Sequence, residues 1–204
     1  TNDELVLYVG ARGGGSGWDG AALYASPDGG TTYSDTGTVI EFAANIGETL
    51  TAVTSTSTEV EVLVPEPLSS ATAAQLNAGA NRAIIGDEEV QWQGATLLGM
   101  SGALYHYNLT GLRRNVLHSG AEAWGSGIRF AEFNDAIIAA RIDRSYYGAT
   151  LYYKAVSLGG TVDGATALSY AFTYAASQTE WPVTNVVVTA AATGGITVTW
   201  DGSP

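Results

Sequence analysis

The chain has 204 residues and no cysteine, which excludes disulfides and thiolate metal sites. Eight Lys and Arg stand against 20 Asp and Glu, a net charge of −12. Such a chain repels nucleic acid and anionic membranes as a whole, because binding a phosphate backbone needs clustered cations.

Hydrophobic residues make up 46% of the chain, enough for a core, and charged residues only 14%. Ser, Thr, Asn, Gly and Ala must then cover the surface, which suits a subunit of a large assembly. No apolar run approaches the roughly 20 residues of a membrane span. The sequence opens on Thr1 without an apolar leader and stops just after a strand-like run. Both ends read as cut from something longer.

In chain order the dominant pattern is short β-prone runs between Gly-rich turns. Strands are expected over 4–9, 21–25, 38–42, 49–53, 59–64, 83–85, 89–92, 95–100, 104–109, 128–132, 136–141, 150–157, 168–174, 183–189 and 196–200. In 59–64, Val60, Val62 and Val64 share one face, opposite Glu59, Glu61 and Leu63. One helical window stands out at 71–77, where Ser69 or Ser70 can cap the start and Gly79 the end. Nothing else sustains a helical period. The fold class expected is all-β, with hairpin-built β-barrel or β-sandwich domains.

Three segments are expected. Residues 1–68 form a hairpin-rich domain or the first half of a composite one. Residues 69–180 form a second β domain with a short helix near 70–78. Residues 181–204, after the Trp181-Pro182 step, resemble the start of a fibronectin type III module. A weak internal echo links Gly20-Ala21-Ala22-Leu23-Tyr24 with Gly148-Ala149-Thr150-Leu151-Tyr152.

The stretch Ser26-Pro27-Asp28-Gly29-Gly30-Thr31-Thr32-Tyr33 resembles the Asp-box of propeller glycosidases. It occurs once, whereas a propeller needs several blades. Ser26, Asp28, Gly30, Thr32 and Tyr33 are therefore read as a hairpin turn. Asp28 would accept from amides two residues on, with positive φ supplied by the glycines. Gly15–Gly20 fits Gly-x-Gly-x-x-Gly, but a strand and a turn follow it rather than the helix a dinucleotide site needs. It reads as a loop.

His106 lies between Tyr105 and Tyr107 as a sheet-face residue, and His118 sits in a loop-like stretch. The acidic run Gly86-Asp87-Glu88-Glu89 reads as a solvated turn before a strand. Carboxylates such as Glu122 and Glu132 offer no specific pair. No catalytic, metal or cofactor site is expected. Trp18 and Trp124 are candidate sugar-stacking platforms under an alternative reading, a carbohydrate-binding β-sandwich of a virion or secreted protein.

The order of these pieces is similar to that in the large tail-tip proteins of long-tailed bacteriophages and gene transfer agents. The Gly-rich loop, Trp18-Asp19-Gly20-Ala21 and the Ser26-Pro27-Asp28-Gly29 turn come first. A strand pair over 49–64 and the Gly86-Asp87-Glu88 strand follow. Tyr107-Asn108-Leu109-Thr110-Gly111-Leu112-Arg113-Arg114 matches a Tyr-x-Leu-x-Gly-Leu-x-Arg turn. After it, this chain departs from the usual Gly-x-x-Gly-Thr-Glu continuation.

The resemblance implies a non-enzymatic hub or central fibre protein of the virion. It implies a homotrimer that contacts the distal tail ring, the tail tube and receptor-binding proteins, and through them a host receptor or glycan. Tyr107, Arg113 and Arg114 are the candidate interface residues, the two arginines as partners for a neighbour's carboxylates.

Overall fold

The computed structural model describes residues 4–13, 17–116, 121–172, 184–190 and 196–201. Gly15, His118 and the Trp181-Pro182 step lie outside them. The chain divides into two compact units, Thr1–Tyr174 and Ala175–Pro204. No helix among the described residues is long and apolar enough to cross a membrane.

The first unit is built from antiparallel strands. β1 (Glu4–Val9), β2 (Ala21–Ser26), β3 (Ser34–Ile40), β4 (Ile46–Thr49) and β5 (Glu59–Val64) precede a five-residue helix, α1 (Ala73–Asn77). β6 (Arg82–Ile85), β7 (Glu88–Gln91), β8 (Gly94–Ser101), β9 (Leu104–Thr110) and β10 (Arg129–Glu132) follow it. β11 (Ile138–Asp143), β12 (Thr150–Ser157) and β13 (Ala167–Ala171) complete the unit. The fold is all-β, with curled sheets that form a half-barrel.

The main sheet has seven strands in the order β7-β6-β10-β4-β5-β9-β8. Only Trp92 and Gln93 separate β7 from β8, although these strands stand at opposite ends of that order. The chain therefore bends from one end of the sheet to the other. Gln91 forms a bridge with Arg113, and the Gln93 amide donates to the Thr110 carbonyl at 3.0 Å. These contacts hold the curl together.

Strands on both sides of 64–70 lie in this one sheet, so that proline-containing segment joins strands within a unit. Gly47 marks the tightest approach inside the sheet. A Cβ there would stand 1.9 Å from the Leu63 carbonyl oxygen, so β4 and β5 can pair only around a glycine.

The curled sheet encloses the core. The alternation in β5 places Val60, Val62 and Val64 inside with Val90, Leu109, Ile85, Trp92 and Phe130. Each such side chain contributes about 1.5–3 kcal/mol relative to exposure. The Trp92 indole N–H donates to the Ser69 carbonyl at 3.0 Å, so its polar edge is satisfied.

α1 begins later than the sequence suggests. Its N-cap is Thr72, in a reciprocal capping box with Gln75, and not Ser69 or Ser70. Those serines serve the sheet instead. Ser70 accepts the Ala95 amide at 2.9 Å, and the Ser69 carbonyl takes Trp92. Gly79, at φ +90°, follows the last turn as expected.

A four-stranded sheet has the order β13-β12-β2-β3. Here the internal echo acquires a meaning: its two copies lie on adjacent antiparallel strands, with Lys154 opposite Tyr24 and Tyr152 opposite Ser26. Their leucines, Leu23 and Leu151, are both buried. β1 and β11 form a separate antiparallel ribbon. In the second unit β14 (Thr184–Ala190) pairs antiparallel with β15 (Ile196–Asp201).

Candidate functional site

The Ser26–Tyr33 turn is built around one carboxylate. Asp28 Oδ1 accepts the amides of Thr31 at 3.1 Å and Thr32 at 3.0 Å, and Oδ2 accepts the Thr32 hydroxyl at 2.6 Å. The donating amides lie three and four residues on, one and two residues further than the sequence reading placed them. The Ser26 hydroxyl donates to Asp28 Oδ1 at 2.6 Å and accepts the Gly30 amide at 2.9 Å. Tyr33 folds back so that Lys154 Nζ stands 4.6 Å from its ring centroid. All these donors are internal to the turn.

The hydrogen bond from Ser26, then those from Thr32 and Thr31, hold the Asp28 carboxyl far below the usual carboxylate range. A depressed folded value means the turn is supported above the ordinary Asp pKa of about 3.9 and loses that support only as pH falls through the lowered value. The Thr31 and Thr32 amide resonances should therefore hold their positions from pH 7 to pH 4 in an NMR titration. Asp28→Asn should displace both at every pH.

A second carboxylate centre lies on β7, the first strand in the order of the seven-stranded sheet. Glu88 and Glu89 are buried, contrary to the expectation of a solvated turn. Arg114 Nε donates to Glu88 Oε1 at 2.7 Å, and its Nη2 donates to Oε2. The amides of Asn115 (3.0 Å) and Glu122 (3.3 Å) donate to the same carboxylate. Arg114 also donates to the carbonyls of Thr54 and Glu122. Four segments of chain, at Thr54, Glu88, Arg114–Asn115 and Glu122, are tied at one ion pair. Burial pushes the Glu88 carboxyl up, but Arg114 and the two amides outweigh it and lower the value.

Arg114 thus spends its charge inside the chain, with its side chain 9% exposed. The expectation that it meets a neighbour's carboxylate is corrected on that ground. Tyr107 is corrected likewise: it is buried in the core on β9. Arg113 Nη1 donates to exposed Asn77 Oδ1 at 2.8 Å.

Glu89 accepts from Arg82 Nε at 2.5 Å, and the Arg82 guanidinium lies 5.0 Å from the Phe133 ring centroid. His106 Nε2 lies 2.8 Å from Glu61 Oε2 on the neighbouring strand. Glu132 accepts the Asn45 side-chain amide at 2.8 Å, and burial pushes its carboxyl up. These groups are scattered, each bound to its own partner. No cluster of three His, Asp or Glu side chains with metal-ligating geometry occurs among the described residues.

Both tryptophan candidates make internal contacts. Trp18 donates to Ser157 Oγ at 3.1 Å, and its indole lies where a Cβ on Gly13 would stand, 2.2 Å away. The Trp124 ring lies against Gly86, within 2.7–2.9 Å of where a Cβ would stand, and its main chain bridges to Val53. The two indoles belong to different segments and form no shared platform.

A recess of about 160 Å³ lies between β11 and β12, lined by Arg141, Asp143, Tyr146 and Tyr153. Small-molecule sites run from about 300 Å³ upward; a second, shallow recess of about 550 Å³ is lined by Phe42, Asn134, Asp135 and Ala136. Burial pushes the Tyr153 hydroxyl up to about 12. A phenol so poorly ionised is a weak candidate for acid–base work near neutral pH.

Residues 34–131 match a family described as Rcc01698-like, C-terminal. The match covers just under half of the chain. It runs from the start of β3 into β10 and takes in the half-barrel, Tyr107 and the Glu88–Arg114 centre. It leaves out Trp18 and the Asp28 turn. No curated protein matches the chain.

The sequence reading missed the Glu88 centre. One signal was available: Glu88 and Val90 alternate onto one face of β7, and Val90 is a core residue.

Proposed function

We propose that the chain is a structural, non-enzymatic part of a phage-type tail tip, a hub or central fibre that closes or extends the tail tube and positions receptor-binding modules. The observation that carries this reading is the use made of its ionisable groups. Glu88, Arg114, Glu89, Arg82 and Asp28 are all engaged in holding strands and turns together. A framework protein needs such groups for rigidity, whereas catalysis needs them convergent and free to exchange protons.

The order of sequence motifs supports the tail-tip assignment, and the low charge of the surface supports assembly. The homotrimer, the contacts with tail ring and tube, the place in the virion and the fibronectin-like continuation after 181 belong to this proposal. An antibody raised against residues 1–204 tests it on purified particles. Gold label should collect at one end of the tail. Label on heads, along the tail shaft or absent from particles would overturn the assignment.

A further inference from the structure

Among the described residues, two edge strands of the first unit are unusually bare. β8 ends the seven-stranded sheet and β13 ends the four-stranded one. On β8, Leu97, Leu98 and Met100 are 51%, 50% and 57% exposed. On β13 all five residues are exposed, with Leu168 at 55% and Tyr170 at 46%. Natural edge strands carry Lys, Pro or inward charges to prevent pairing with another chain. Neither strand has any of these; β13 has no bulge either, and β8 has one, between Leu97 and Gly99.

The charge pattern points the same way. No Asp, Glu, Lys or Arg occurs from Val90 to Leu112 or from Gly164 to Thr179, in a chain of net charge −12. Two copies so acidic repel wherever their charged surfaces face each other. They can approach closely only where both surfaces are neutral. The other edges of this unit fail that condition or are covered. β3 carries exposed Asp35, the β1–β11 ribbon carries Arg141 and Asp143, and β7 is buried.

The geometry of β8 also fixes where a strand can add. Ser70 takes the Ala95 amide, and the Ala71 amide donates to the Gln93 carbonyl, so 69–71 covers the first part of the edge. Among the described residues the stretch left for an added strand is Thr96–Ser101. A bulge between Leu97 and Gly99 interrupts the stretch and confines regular pairing to either side of it.

We propose that β8 of one copy pairs edge to edge with β13 of the next copy. This contact is heterologous: each copy offers one edge and receives on the other, so a suitable rotation closes a ring without leaving either strand bare. It buries the five apolar side chains against each other and brings no charge with it. The inference rests on the assembly reading above, but its test uses isolated protein.

The absence of cysteine makes that test clean. Leu97→Cys or Met100→Cys copies are mixed with Leu168→Cys or Tyr170→Cys copies and mildly oxidised. All four positions are exposed, so the fold should tolerate the changes. At least one mixture of a β8 with a β13 variant should give cross-linked dimer at least tenfold above either variant alone. The yield should rise with salt, which screens the repulsion between acidic copies. Absence of dimer in every mixture would overturn the proposal, as would β8 variants that cross-link equally well alone. A negative result here, with antibody label still at the tail tip, would reject the β8–β13 contact and leave the tail-tip assignment standing.

Discussion

Arg114→Ala should destabilise the first unit by about 3–5 kcal/mol, read as a lower urea midpoint with little change in slope. The cost comes mainly from what is left behind. Glu88 is 1% exposed, so without Arg114 a carboxylate stays in the interior with only two amide donors. The Thr54 and Glu122 carbonyls lose a donor as well.

A double variant, Glu88→Met with Arg114→Met, should cost far less than the single one, because removing both charges leaves no uncompensated ion. The sign of the pH dependence follows from the lowered Glu88 value. The pair stabilises fully above the ordinary Glu pKa of about 4.3, and that contribution is lost as pH falls through the depressed folded value. The deficit of Arg114→Ala should therefore be flat from pH 8 to about 6 and shrink in acid, where the stranded carboxyl can take a proton. A deficit independent of pH down to 3 would contradict the role given to the charge.

The second large effect is expected at Trp92. Trp92→Ala should cost about 3–5 kcal/mol, from lost transfer energy and from the cavity left behind. The indole is fully buried, lies 5.9 Å from the Phe130 ring centroid, and sits where β7 turns into β8. Its loss removes packing from both ends of the curled sheet at once. Trp92→Phe separates the two contributions. It keeps most of the packing and gives up the hydrogen bond to Ser69, whose carbonyl retains the Asn81 amide at 2.9 Å. That variant should cost clearly less than Trp92→Ala. Equal costs would mean that the hydrogen bond, and not the packing, holds the bend.

Local features of this fold were legible in the sequence because they depend on near neighbours. The alternation of Val60, Val62 and Val64 gave both strand and buried face. Ser26-x-Asp28-x-Gly30 gave a turn because all its donors lie within a few residues. Gly79 gave the helix end. What escaped the sequence is non-local.

Glu88 and Arg114 are 26 residues apart. Read alone, the first is an acidic turn residue and the second a free cation. Alternation around His106 set Tyr105 and Tyr107 on one face but could not say that this face is the inner one. The run through Trp92 was split into two strands correctly, yet nothing local says that one continuous segment pairs with β6 at its start and β9 at its end. The cap moved from Ser69 or Ser70 to Thr72 for a related reason. The Ser70 hydroxyl was claimed by the distant Ala95 amide on β8 and the Ser69 carbonyl by the Trp92 indole, and only Thr72 had a Gln three residues on.

Electron cryo-microscopy of purified particles, averaged with threefold symmetry at each end of the tail, tests the central claim most directly. That claim is that these charged and aromatic side chains brace a scaffold rather than perform chemistry. Three copies of the seven-stranded half-barrel should fit the density at the tip, each with Glu88 and Arg114 closed on one another. Density that leaves no place for the half-barrel at the tip, together with turnover of a glycan by the isolated chain, would contradict it.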